Sequence, residues 1–281
     1  MHAHTYRHEA MATYFEIVVA DQVGSYAQQA AAAAFRELDR LESELSRFVA
    51  SSDIARANRL ARGETLLIGE DAAQCLLVAI DVSLATVRAF DPAYASERAS
   101  DEPADIPPFT LDLATHRLTS RAQRLHLDLG AVGKGYALDA MADVLREWEI
   151  GAACLNTGGS TVLALEAPPA EPGWPVGLGE GSAYRTFPLV NAALSGSGIA
   201  VKGAHLVDPR LGRPASRTRR VWSLAPVAAQ ADALSTAFFV MTDAETAAFC
   251  ATHETVGAAF TTRSGELSVH GALRACLATA R

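Results

Sequence analysis

The stretch that organises the chain is Asp128-Leu129-Gly130-Ala131-Val132-Gly133-Lys134-Gly135-Tyr136-Ala137-Leu138-Asp139. Before it, Arg124 to Leu127 reads as a short strand. After it, Val132 to Trp148 reads as an amphipathic helix, with Ala137, Met141, Val144, Leu145 and Trp148 on one face. Glycines 130, 133 and 135 let the backbone turn sharply and approach a ligand closely. The helix N-terminus they feed favours an anion such as phosphate. Only two of the 24 basic residues are lysines, Lys134 and Lys202, so a compact ammonium between glycines stands out against a background of arginine. No G-x-x-x-x-G-K-[ST] is present, so this is not a Walker A loop. A solvated lysine at an ordinary strand–turn–helix junction accounts for the stretch equally well on local physics.

Outward from this junction, strands and helices interleave without a regular β-α-β repeat. Thr13 to Ala20 reads as a strand, Gln22 to Phe48 as a long helix, and Asp53 to Ala61 as a short helix capped by Asp53. Asp71 to Phe90 reads as a helix closed by Asp91-Pro92. Ala99 to Pro108 reads as a surface loop, followed by a hairpin of Phe109 to Leu113 and Arg117 to Thr119. Short strands at 152–155 and 161–165 flank Asn156-Thr157-Gly158-Gly159, and 167–181 is Pro/Gly-rich and reads as a loop. Strands near 185–194 and 220–225, helices at 231–242 and 244–252, and strands at 255–262 and 266–270 complete the pattern. The fold class expected is α+β, with mixed sheets, packed helices and room for two intertwined subdomains. Residues 1–10 are expected to be a flexible tail, and 11–281 a single unit.

With 281 residues and 49% hydrophobic content, the chain can bury a large core and is not disordered. The net charge of −8 disfavours nucleic acid as a partner. Cys75, Cys154, Cys250 and Cys276 form no C-x-x-C pair and read as buried thiols. No run is long enough to span a membrane, and Met1 to Met11 holds no apolar signal core. The expectation is a cytoplasmic protein with no membrane anchor.

Three further segments carry chemistry. Asn156-Thr157-Gly158-Gly159-Ser160 fits a tight turn, and turn formation alone is the simpler reading. His205-Leu206-Val207-Asp208-Pro209-Arg210-Leu211-Gly212-Arg213-Pro214 places a His, an Asp and two Arg around a turn, as a phosphate-binding or proton-transfer site would, or as a surface turn would. Ala231-Asp232-Ala233-Leu234-Ser235-Thr236-Ala237 puts Asp232 and Thr236 at i and i+4 on one helical face. A carboxylate and a hydroxyl are hard oxygen ligands that suit Mg²⁺. The competing reading is Asp232 as the N-cap of a helix. The N-terminal His2, His4 and His8 show no functional pattern beyond adventitious chelation.

In their order along the chain, these segments resemble the FAD:protein FMN transferase family, also called the ApbE family. The resemblance is carried by Met11-Ala12-Thr13, Phe90-Asp91-Pro92, Asp128 to Asp139, Asn156 to Gly159, His205 to Gly212 and Ala231 to Ala237. It implies Mg²⁺-dependent transfer of the FMN moiety of FAD to a Ser/Thr hydroxyl of a target flavoprotein, with release of AMP. FAD and that target protein would be the partners. By the same resemblance, Asp232, Thr236 and the main-chain oxygen of Ala131 would hold Mg²⁺. Met11, Phe48, Ala89, Phe90, Asp91, Asp128, Lys134 and His205 would bind FAD, and His205 and Asp232 would serve the transfer step. The chain departs from the family pattern at Ala12, where glycine is usual, and at Phe48, where Tyr or Trp is common. It departs again at Leu211 and in the shortened stretch after Pro92. Two alternatives share much of this site: an FAD pyrophosphatase giving FMN and AMP, and a non-catalytic flavin-binding protein.

Overall fold

A period-two burial pattern along Thr13–Ala20 places Phe15, Ile17 and Val19 in the core, and this strand sits next to the edge of the largest sheet. The computed structural model describes residues 3–98, 106–198, 207–215, 220–261 and 265–278. The chain begins with β1 (Ala3–Ala10), β2 (Thr13–Ala20), α1 (Gly24–Leu45), α2 (Asp53–Ala57), β3 (Thr65–Leu67) and α3 (Glu70–Ala85). There follow β4 (Phe109–Asp112), β5 (Arg117–Ser120), α4 (Gly133–Glu147), β6 (Ala153–Thr157) and β7 (Thr161–Ala164). Next come β8 (Trp174–Leu178), β9 (Arg185–Leu189), β10 (Ala192–Ser197), β11 (Val207–Asp208), β12 (Arg213–Pro214) and β13 (Val221–Ala225). The last described elements are α5 (Ala228–Val240), α6 (Asp243–Thr252), β14 (Gly257–Thr261), β15 (Leu267–Gly271) and α7 (Leu273–Ala278).

Eight strands form one antiparallel sheet in the order β1-β2-β6-β7-β10-β13-β14-β15. One face carries α1, α4 and α5 over the main core. The other carries the β8–β9 hairpin and α7 over a second apolar cluster that includes Trp174, Phe187, Leu194, Leu224 and Leu273. A three-stranded sheet, β3-β5-β4, adds Phe109 and Leu118 to the main core. The α+β class expected from the sequence is the class observed. All four cysteines are free; Cys75 and Cys250 are buried, and burial pushes the Cys75 thiol up and the Cys250 thiol to about 11. No helix among the described residues is long and apolar enough to cross a membrane.

Several expectations are corrected. Residues 3–10 are not a flexible tail: they pair in register with all eight residues of β2. His4, Tyr6, His8 and Ala10 alternate with more exposed residues, and His8 stacks on Phe35 of α1. Ring-bearing residues thus supply the inward face without the β-branched content that normally marks a strand. The helix expected to reach Phe90 ends at Ala85, because Val87 and Arg88 take left-handed backbone conformations (φ 50° and 57°). Arg124 to Leu127 forms only an isolated bridge, Glu97 to Arg124. The stretch read as a loop over 167–181 contains β8. Ser52, not Asp53, caps α2 by accepting the Ala55 N–H, while Asp53 accepts the N–H of Gly69 before α3. The loop expected over 99–108 lies mostly outside the described residues.

Candidate active site

The α4–α5 crossing builds the site. Gly135 lies on α4 where an added Cβ would run into the Ala228 carbonyl oxygen, so only glycine lets the two helices come this close. Asp139, one turn further along α4, accepts the N–H groups of Ala228 and Ala229 at 2.8 Å each, tying down the first turn of α5. Burial raises the Asp139 pKa to about 6, against the lowering effect of those two N–H bonds. Because α5 opens at Ala228, Asp232 sits in its second turn and is not an N-cap. Buried hydroxyls hold the underside of the helix. Ser235 Oγ donates to the Asp232 carbonyl at 2.8 Å and lies 2.8 Å from Ser197 Oγ, while Ser195 Oγ bridges toward Thr161 at 2.9 Å.

The Asp232 carboxylate is 2% exposed and faces the N-terminus of α4. Its Oδ2 accepts the Gly135 N–H at 3.3 Å and lies 3.6 Å from Lys134 Nζ. Both contacts fall on one oxygen. Lys134 Nζ also donates to the Gly130 carbonyl at 2.6 Å, which folds the side chain back over the glycine turn. One turn after Asp232, Thr236 Oγ1 is buried and has no hydrogen-bond partner among the described residues. An orphaned hydroxyl beside a half-used carboxylate is costly in a structure of protein alone. It fits a hard cation that keeps its remaining positions for waters or phosphate oxygens. Among the described residues no cluster of three or more His, Cys, Asp or Glu offers an all-protein metal cage.

Two cavities adjoin above this point. The first, about 390 Å³, is lined by Met11, Leu45, Phe48, Asp128, Gly130 and Lys134 among others. The second, about 300 Å³, is lined by Phe48, Ala89, Phe90, Asp91, Ala131 and Thr236, with Val207 and Pro209 closing one side. Arg47, Phe48, Asp128 and Gly130 belong to both. Phe48 is 82% exposed, a large aromatic ring held at a cavity mouth. Arg47 lies over its face at 4.4 Å and 3.4 Å from Asp128 Oδ2. Asp128 Oδ1 accepts the Gly130 N–H at 2.9 Å, which shapes the glycine turn. Burial raises the pKa of Asp91, which accepts the Ala93 N–H.

Met11 reaches the first cavity through the two-residue turn between β1 and β2. Its N–H donates to Glu42 at 2.8 Å, and both Met11 and Ala12 have positive φ (50° and 57°). That conformation costs an L-residue energy and suits glycine, which gives the alanine at position 12 a physical consequence. Gly158, in the Asn156–Gly159 turn, packs against Thr13 of the same corner and donates its N–H to the Tyr14 carbonyl. That motif therefore braces the Met11 turn and lines neither cavity.

Of the residues expected from the sequence, Met11, Phe48, Ala89, Phe90, Asp91, Asp128, Ala131, Lys134 and Thr236 line the two cavities, and Asp232 lies beneath them. His205 and Lys202 lie outside the described residues. The turn after His205 is described. Although burial works against ionisation of Asp208, the Arg210 guanidinium beside it holds its pKa below the usual value, and Arg210 reaches on to Glu245 of α6 at 2.9 Å. Sequence reasoning missed Arg47, Glu42 and Asp139 as parts of the site. Arg47 lies beside Phe48, Glu42 one helical turn before Ser46, and Asp139 at the end of the glycine stretch, so adjacency was the available signal.

Residues 11–260 match the sequence profile of the ApbE family. A 117-residue segment is 27% identical to an FAD:protein FMN transferase of Klebsiella pneumoniae (strain 342), covering 37% of this chain and 35% of that protein. The chain thus spans about a third of the length of that relative. The fold superposes on the flavin transferase ApbE from Vibrio cholerae with TM-score 0.84 at 19% identity, covering 98% of this chain and all of that one. It superposes on the Pseudomonas stutzeri flavinyl transferase ApbE with TM-score 0.81 at 19% identity, covering 98% and 97%. For the ApbE protein of Thermotoga maritima the TM-score is 0.80 at 21% identity, covering 98% and 99%.

Proposed function

The chain belongs to the ApbE family, and from that premise we propose that it transfers the FMN moiety of FAD to a Ser or Thr hydroxyl of a target protein and releases AMP. The observation that carries this reading is the junction of the two cavities at Arg47, Phe48, Asp128 and Gly130, with Lys134, Asp232 and the unpartnered Thr236 hydroxyl below it. FAD is two planar ring systems joined by a diphosphate. Two adjoining cavities that meet at charged groups and an exposed aromatic ring match that shape.

Phosphoryl transfer needs positioning and charge neutralisation more than covalent machinery. Phe48 offers a ring face at the cavity mouth, and Met11 packs the wall of the first cavity. Ala89, Phe90 and Asp91 form a wall of the second. The glycine turn brings the N-terminus of α4 up to the substrate, and Lys134 places its charge there. In the transfer, the acceptor oxygen bonds to the FMN phosphorus as that phosphorus loses its bond to the bridging oxygen. AMP leaves with the electron pair, and the hydroxyl proton passes to a base; the family resemblance would give His205 that role or the orienting of the hydroxyl. Magnesium, held by Asp232, Thr236 and the Ala131 carbonyl, would neutralise charge on the diphosphate.

Intact-mass spectrometry tests this reading. The protein is incubated with FAD, Mg²⁺ and an acceptor protein, with and without EDTA. An FMN-sized gain on the acceptor that EDTA abolishes is the expected result. Free FMN and AMP without adduct would make the activity FAD hydrolysis. FAD binding without turnover would make the protein a flavin-binding module.

A further inference from the structure

Arg47 lies outside every motif discussed above, yet it lines both cavities. It is the only cationic residue among the described residues that does so; Lys134 lines the first cavity alone. Lys134 is already engaged, by the Gly130 carbonyl at 2.6 Å and by Asp232 at 3.6 Å. Arg47 is held loosely. Its one ion pair among the described residues, to Asp128, is 3.4 Å long, and the two side chains are 35% and 32% exposed. A pair of that kind contributes little and yields readily to a stronger anion. Its other contact is the face of Phe48 at 4.4 Å, which orients the planar guanidinium at the mouth shared by the cavities. The second of these cavities contains Thr236 and Ala131. A guanidinium fork fits phosphate oxygens two at a time, which a lysine ammonium cannot do. The chain is acidic overall, at net charge −8, so a dianionic diphosphate needs a local cation that is not already committed.

We propose that Arg47 is the diphosphate-binding cation of this chain: it leaves Asp128 on substrate entry and takes phosphate oxygens of the dinucleotide at the cavity junction. The proposal rests on the flavin dinucleotide reading of the site and adds to it a substrate-binding residue. Phe48 serves as the platform that keeps the guanidinium edge-on to the entering phosphates. Asp128 holds the same group in the absence of substrate.

The test is flavin-fluorescence titration of the wild type, Arg47→Met and Arg47→Lys with FAD and, separately, with riboflavin, which has no phosphate. Thermal melts accompany it; Arg47 is at the surface, so the variants should melt with the wild type. Arg47→Met keeps most of the side-chain volume and removes the charge. Its FAD dissociation constant should rise about tenfold or more, the usual scale of a lost charge-assisted contact. Arg47→Lys should recover part of that loss, and riboflavin should bind all three proteins alike, whether weakly or well. An unchanged FAD constant in Arg47→Met would overturn the proposal. So would a lysine variant no better than methionine, or an equal loss for riboflavin, which would make Arg47 a ring-stacking residue. A wild type that itself fails to bind FAD would instead overturn the flavin reading beneath it.

Discussion

At the scale of single residues, the site is marked by groups that the protein alone leaves unsatisfied. Asp232 lies in the middle of an almost wholly buried helix and uses one carboxylate oxygen. Thr236 Oγ1, one turn on, uses none of its hydrogen-bonding capacity. A buried hydroxyl without a partner costs about 1–3 kcal/mol, a cost that a cation bound at Thr236 would offset. Thr236→Val has nearly the same shape and removes no bond. In metal-free buffer it should be as stable as the wild type or more stable, by up to about 1 kcal/mol, in denaturant unfolding. Its Mg²⁺-dependent turnover should nevertheless fall by about tenfold or more. Added Mg²⁺ with FAD should raise the melting temperature of the wild type more than that of the variant. If Thr236→Val loses stability and keeps its activity, the hydroxyl is a structural group with a partner formed in solution, and Thr236 leaves the metal site.

At the scale of elements, the central relation is the crossing of α4 and α5, since it brings Lys134 to Asp232. Gly135 permits the close approach, and Asp139 fixes it by accepting two N–H groups from the start of α5. This role was not legible in the glycine stretch itself, where Asp139 has the appearance of a surface residue on an amphipathic helix. The partner that defines it is almost ninety residues away in sequence. Burial raises the Asp139 pKa to about 6 in the folded protein, above the roughly 3.9 of an exposed aspartate. A carboxyl with a raised folded pKa contributes stability that is fully present below the unfolded value and is lost as the pH rises through the folded one. Between about pH 4 and 7, therefore, the wild type should lose ground to Asp139→Asn, which does not titrate. Chemical denaturation of both proteins across that range measures the difference. A gap that stays constant would mean that Asp139 titrates alike in the folded and unfolded states.

At the scale of the whole molecule, what could be read in advance followed from local rules, and what could not was set by distant partners. Thr13–Ala20 reads as a strand because it is rich in β-branched and aromatic residues, and Val132 to Trp148 reads as a helix, observed over Gly133–Glu147, because its apolar residues share a face. Asp232 and Thr236 could be paired from their i, i+4 spacing alone. Arg47 could not be placed, since its importance comes from two cavity walls that meet only in three dimensions. Residues 3–10 are the clearest failure, because their inward face is made of His4, Tyr6, His8 and Ala10, and polar side chains at a terminus resemble a tail. In the structure they form the edge strand of the eight-stranded sheet. They also cover α1: Tyr6 donates to the Gly24 carbonyl at 3.1 Å, and His8 meets both the Phe35 ring and Asp39. The strand ends at the turn that carries Met11 into the first cavity. Removing residues 1–10 would uncover one side of α1, leave β2 as an exposed apolar edge, and free the Met11 turn from one of its two strands. The truncated protein should therefore melt several degrees lower, on the order of a few kcal/mol for a chain of this size. It should also bind FAD more weakly than the full chain and aggregate more readily. Thermal melts and FAD titration of the two proteins decide the matter. If the truncated chain matches the full one in both, the strand is dispensable, and the Met11 turn is held in place by Glu42 and the Gly158 turn alone.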